Sequence, residues 1–142
     1  MKIAIFLLTI LSTTNLLYSQ EPVKEADGHT ILVQLENLVN DEGTALIALY
    51  NEDGFMKKAP VASGKSSISD GKAEFRFENV QPGTYAVVAL HDTNGNHRMD
   101  FDSNGMPLEG WATSNNDMTP GPPNFDSSKF TLGEDLELTL RF

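Results

Sequence analysis

The sequence predicts an all-β fold, an antiparallel β-sandwich of immunoglobulin-like or prealbumin-like type. Three observations carry the prediction. Short segments alternate apolar and polar residues with the period of two that a half-buried strand requires. Turns rich in Gly, Pro, Asn and Asp separate these segments. Beyond the first 19 residues, no stretch shows the 3.6-residue apolar stripe of a helix. The chain has 142 residues, 39% of them hydrophobic, a length and composition suited to one globular domain.

Taken in order, Lys2 and the apolar run at residues 3–11, followed by a polar break, predict a secretory signal peptide over residues 1–19, cleaved after Leu17-Tyr18-Ser19. The apolar run is about half of the ~20 residues that a spanning helix needs, so no membrane span is expected after cleavage. The chain has no cysteine, which excludes both a lipoprotein anchor and a disulfide framework. The expected location is periplasmic or extracellular. Twenty acidic residues face ten basic ones, a formal net charge of −10 that becomes more negative when Lys2 leaves. Nucleic acid and anionic membrane surfaces are therefore poor partners.

Residues 20–29 mix charge with Pro and Gly and read as a flexible leader, and residues 30–142 read as one domain. Ile31, Val33 and Leu35 alternate with Leu32, Gln34 and Glu36 in a first strand. Asn40-Asp41-Glu42-Gly43 is a turn, and residues 44–50 form a nearly continuous apolar, deeply buried strand, so the first two strands are expected to pair as a hairpin. Residues 55–70 hold either a short helix or an edge strand. Ala73, Phe75 and Phe77 alternate with Glu74, Arg76 and Glu78. The turn at residues 79–83 uses Pro82 to pre-set φ and Gly83 for a positive φ. Residues 84–90 make a second central strand, residues 91–128 a long loop, and Leu136, Leu138, Leu140 and Phe142 mark a closing strand.

The chemistry concentrates in the long loop. Asp92, Asn94, Asn96, Asp100, Asp102 and Asn104 place oxygen-bearing side chains at alternate positions, as a curled backbone does when it turns them toward one centre. Hard Ca²⁺ takes about six to eight such oxygens. Read from Asp92, ligand types fall at positions one, three, five and nine, with the Arg98 backbone carbonyl at seven; read from Asp100, the segment opens as Asp-x-Asp-x-Asn-Gly. Glu109 is available to close the second frame. The first frame has His97 where Gly is usual. The alternative reading is a run of polar turns. Downstream, Trp111 and Phe125 are apolar anchors in polar surroundings and either pin the loop or form a recognition surface, while Asn115 and Asn116 bind their own backbone or a partner.

Other motifs fall short. His29, His91 and His97 do not have zinc-ligand spacing. His91 beside Asp92 lacks the Gly-x-Ser-x-Gly that a nucleophile elbow needs. Gly64-Lys65-Ser66 has Ala59 where a phosphate loop requires Gly. The alternating, aromatic-ended C-terminal segment suits a sandwich strand better than an outer-membrane barrel, for which the chain is too short.

Several segments in this order, Gly83-Thr84-Tyr85-Ala86-Val87, His91-Asp92-x-Asn94-x-Asn96, Asp100, Gly105-x-Pro107-x-Glu109-Gly110, Ser114-Asn115-Asn116 and Pro122-Pro123-x-Phe125, resemble the bacterial exported domain-of-unknown-function family 2141. That resemblance spans residues 30–142 and implies a secreted or periplasmic β-sandwich without an assigned activity. Two function classes are expected. One is a non-catalytic binding or structural module of the cell envelope, with a Ca²⁺-stabilised loop contacting an envelope protein or a glycan. The other is a glycan-active enzyme using the carboxylates of Asp92, Asp100, Asp102 and Glu109, which would have to face a cleft in pairs about 5–10 Å apart. Crowding in one curled loop favours the first.

Overall fold

The computed structural model describes residues 28–142. The expected signal peptide and most of the expected leader lie outside the described residues. Eight strands, β1 (His29–Glu36), β2 (Thr44–Tyr50), β3 (Ala62–Ser66), β4 (Ala73–Val80), β5 (Gly83–Asp92), β6 (Trp111–Thr113), β7 (Phe130–Leu132) and β8 (Leu136–Arg141), form two sheets packed against each other. The smaller has the order β4-β1-β8 and the larger β3-β2-β5-β6, with β7 pairing the start of β5. Residues 55–70 supply the edge strand β3 rather than a helix of any length. One four-residue helix, α1 (Phe125–Ser128), lies in the long loop. Among the described residues, no helix is long and apolar enough to cross a membrane.

One sequence expectation about pairing is corrected. β1 and β2 do not form a hairpin: β1 pairs with β4 and β8, while β2 pairs with β3 and β5. The reason is the inner faces. Ile31, Val33 and Leu35 on β1 and Ala45, Ile47 and Leu49 on β2 are all fully buried in one core. Placed in opposite sheets, each set covers the other; side by side in one sheet, both would need a third element above them. The sandwich also contains one parallel pair, β1 with β8, in register from Ile31 opposite Leu136 to Glu36 opposite Arg141.

The turn before β5 differs as well. Asn79, not Gly83, takes the positive φ, at 55°. Asn is one of the few residues besides Gly that visit that region, and here its Oδ1 accepts the N–H of Gly28, which precedes β1. Glycine is required elsewhere. A Cβ on Gly64 of β3 would enter the Phe75 ring of β4, so its absence lets the edges of the two sheets close together.

The central strands β2 and β5 are apolar on both faces. Their inner residues join the core; their outer residues, Leu46, Ala48, Tyr50, Val88 and Leu90, are half-buried. Register aligns Lys65, Leu46, Leu90 and Trp111 in one row across the larger sheet, and Ser63, Ala48, Val88 and Thr113 in the next.

Candidate functional site

The loop after β5 is built outward from a buried carboxylate. His91 and Asp92 are 1% and 0% exposed. The Glu42 carbonyl accepts a hydrogen bond from His91 Nε2 at 2.8 Å, which places the ring proton on that nitrogen because a carbonyl can only accept. Asp92 uses both oxygens on the main chain, accepting from the Gly95 N–H (2.8 Å) and the His97 N–H (2.9 Å). Asn94 Oδ1 then accepts from the Asn96 N–H, and Asn96 Oδ1 from the Arg98 N–H, each at 3.0 Å. Side-chain oxygens at every second residue therefore hold the backbone in one curl. Gly95 and His97 supply its left-handed positions, with φ of 76° and 62°, so His97 adopts the conformation of the glycine it replaces in the calcium-loop pattern.

Asp100 lies at the focus of the curl. Its carboxylate accepts from the amide nitrogens of Asn94 (2.6 Å) and Asn96 (2.8 and 2.9 Å). Glu109, 7% exposed, closes the base: Oε1 accepts from the Thr93 N–H and hydroxyl, and Oε2 from the Asp100 N–H. Arg98 sits between Asn96 and Asp100, its guanidinium exposed and 3.8 Å from the Asp100 carboxylate.

The structure thus gathers Asp92, Asn94, Asn96, Arg98, Asp100 and Glu109. Asp102 and Asn104 belong to a separate turn. Asp102 Oδ1 accepts from the Met106 and Asn104 N–H groups, both at 2.8 Å, and these bonds, with Met106 foremost, hold its carboxyl below the usual carboxylate range. Phe101 bridges to Pro107 across this turn. The continuous run of side-chain-to-backbone bonds therefore extends from Asp92 to Arg98 and does not include Asp102 or Asn104. Among the described residues, no three His, Asp or Glu side chains are grouped to hold a metal. A hard cation at this loop would draw on amide and backbone carbonyl oxygens besides carboxylates, the mixed oxygen set that Ca²⁺ accepts.

The four residues considered for partner contact separate into three roles. Asn115 and Asn116 have positive φ, 72° and 53°, and both are tied into the fold. Asn115 Nδ2 donates to the carbonyls of Ser127 and Lys129, while Asn116 donates to the Thr139 carbonyl and accepts from the Arg141 N–H, fixing the loop to β8. Phe125 pins the loop, its ring edge-on to Phe55 at 5.5 Å, which in turn meets Tyr50 at 5.7 Å. Trp111 lines a cleft.

That cleft, about 1110 Å³, has the outer face of the larger sheet as its floor, with Leu46, Ala48, Val88, Leu90 and Trp111, and is flanked by Met99, Phe101 and Met106 from the loop and by Pro120, Pro122 and Pro123. Sequence reasoning missed it. Its lining is scattered from residue 46 to 123, and its floor residues read as core because both faces of β2 and β5 are apolar. It also missed Ser114, fully buried, whose hydroxyl accepts from the Val87 N–H at 2.9 Å and donates to the Ser128 carbonyl.

A family model described as an uncharacterized protein conserved in bacteria (DUF2141) matches residues 33–139. The chain belongs to this family. Searches of curated proteins and of solved structures found no match.

Proposed function

We propose that the chain is an exported, non-catalytic binding module of the cell envelope whose loop at residues 92–109 is ordered by Ca²⁺. The supporting observation is the convergence of Asp92, Asn94, Asn96 and Asp100 in a single curl closed beneath by the buried Glu109. Side-chain oxygens at every second residue of the curl are the hard donors that Ca²⁺ takes, and Asp92, Asp100 and Glu109 supply negative charge for it. Carboxylate-based glycan chemistry is less well supported. Asp92, Asp100, Asp102 and Glu109 are engaged in loop hydrogen bonds, and the lining of the large cleft contains neither Asp nor Glu.

Calorimetric titration of the mature domain with Ca²⁺, paired with thermal melting in excess Ca²⁺ and in chelator, tests the proposal. Saturation at a hundred times the dissociation constant adds about 2.7 kcal/mol if only the folded state binds. Asp100→Ala abolishes both the heat and the shift. Identical melting curves in Ca²⁺ and chelator, with no heat of binding, would reject calcium and leave the loop as a set of polar turns.

A further inference from the structure

Among the described residues, the outer face of the larger sheet is an apolar surface that forms the floor of a wide cleft. Its floor is the row Leu46, Leu90 and Trp111 with Ala48 and Val88 beside it. Of the seven large hydrophobic residues that stand exposed among the described residues, three, Met56, Phe101 and Met106, border this one cleft. Methionine is unbranched and polarizable and packs against variable apolar shapes, and Met56, Met99 and Met106 give the cleft three of the chain's five. Its volume of about 1110 Å³ is slightly above the ~300–1,000 Å³ typical of small-molecule sites.

Charge identifies the occupant. The chain carries twenty Asp and Glu, yet the ionisable side chains that line the cleft, beyond the phenol of Tyr50, are Lys65 and His97. Lys65 sits on the edge strand beside Leu46, at the end of the row opposite Trp111, so one fixed positive charge marks one side of an otherwise apolar trough. A compact ammonium is matched by a single anionic head group, and the trough by an unbranched hydrocarbon tail.

We propose that this cleft binds a single-chain amphiphile with a carboxylate head group, a fatty-acid anion, with the tail along Leu46, Leu90 and Trp111 beneath Phe101 and Met106 and the carboxylate at Lys65. The proposal gives the binding-module reading a ligand and rests on it to that extent. Met99, Phe101 and Met106 come from the loop at residues 92–109, so the binding experiment is run both in chelator and in Ca²⁺ kept below soap precipitation. Binding in both media leaves the ligand standing without calcium, binding in Ca²⁺ alone ties the two readings together, and binding in neither overturns the ligand whatever the calcium titration gives.

The experiment is calorimetry of the mature domain with decanoate, laurate and myristate below their micellar concentrations, against dodecyltrimethylammonium. Laurate binds one to one and more tightly than the cation of equal tail length, and each added methylene raises affinity by about fourfold, the factor corresponding to ~0.8 kcal/mol of burial. Lys65→Glu weakens laurate and strengthens the cation, each by roughly fivefold, as expected for loss and reversal of an exposed charge contact. Met106→Glu and Phe101→Glu, both exposed positions that cannot collapse the core, weaken laurate at least tenfold, whereas Val39→Glu, an exposed position that does not line the cleft, leaves it unchanged. Equal affinity for the two amphiphiles, insensitivity to Lys65→Glu, or insensitivity to both loop variants overturns the proposal. So does a dimer, seen by sedimentation, that Met106→Glu dissociates, since a second copy would then be what covers the face.

Discussion

Ser114 and Thr113 are neighbours with opposite hydrogen-bond status, and that difference decides what each contributes. Ser114 Oγ lies between strand and helix, accepting from the Val87 N–H and donating to the Ser128 carbonyl, with no access to solvent. Ser114→Ala strands the Val87 N–H inside the protein, at a cost of about 1–3 kcal/mol. The Thr113 hydroxyl is equally buried but has no hydrogen-bond partner. Its replacement by the near-isosteric Val removes an uncompensated polar group, so Thr113→Val is expected to be neutral or to stabilise by about 1 kcal/mol. Denaturant titration of the two variants checks the pair. A similar loss from both would mean that the Thr113 hydroxyl finds a partner in solution.

Among the elements, the turns connecting the two sheets are held by one exposed carboxylate. Asp41, in the turn between β1 and β2, accepts from the Gly71 N–H at 2.8 Å and the Asp70 N–H at 2.9 Å in the turn between β3 and β4. The Leu38 N–H reaches the Gly71 carbonyl beside them. The two backbone bonds, Gly71 foremost, hold the Asp41 carboxyl below its ordinary value. Because the folded pKa is depressed, its contribution is complete above the unfolded carboxylate value of about 4 and is lost as pH falls through the lower, folded value. Chemical denaturation from pH 5 to pH 2 should therefore show a shallower acid loss of stability for Asp41→Asn than for the parent. Superimposable acid limbs would show that the clasp between the turns does not depend on the charge.

The alternation of Ile31, Val33 and Leu35 marked a strand and its buried side, and the apolar runs at 44–50 and 84–90 marked β2 and β5. Period two fixes which face is buried but not which strand lies alongside, so the separation of β1 and β2 into opposite sheets was not legible. In the loop, the residue types announced the curl from Asp92, since an Asx turn needs only a side-chain oxygen and the N–H two residues on. The return of Glu109 to Thr93 and Asp100 was not legible, because it depends on how the chain between them folds back.

On the scale of the whole molecule, closure of the sandwich depends on β8. It lies parallel to β1, the Thr30 N–H donates to Asp135 across 105 residues of sequence, and the Phe142 N–H reaches the Glu36 carbonyl. β8 contributes the fully buried Leu140 to the core and, through Asn116, holds the long loop that carries the candidate sites. A connection this long has a large loop-closure cost before its contacts form, so folding should fall in the millisecond-to-second range of proteins dominated by non-local strand pairing. Leu140→Ala leaves a cavity between the sheets and is expected to destabilise by about 2–5 kcal/mol. If β8 docks after the transition state, this loss appears chiefly as faster unfolding, with the refolding rate nearly unchanged. Stopped-flow refolding and unfolding of the parent and Leu140→Ala across denaturant separates the two arms. Slowing confined to refolding would instead place the parallel β1–β8 pairing in the folding nucleus.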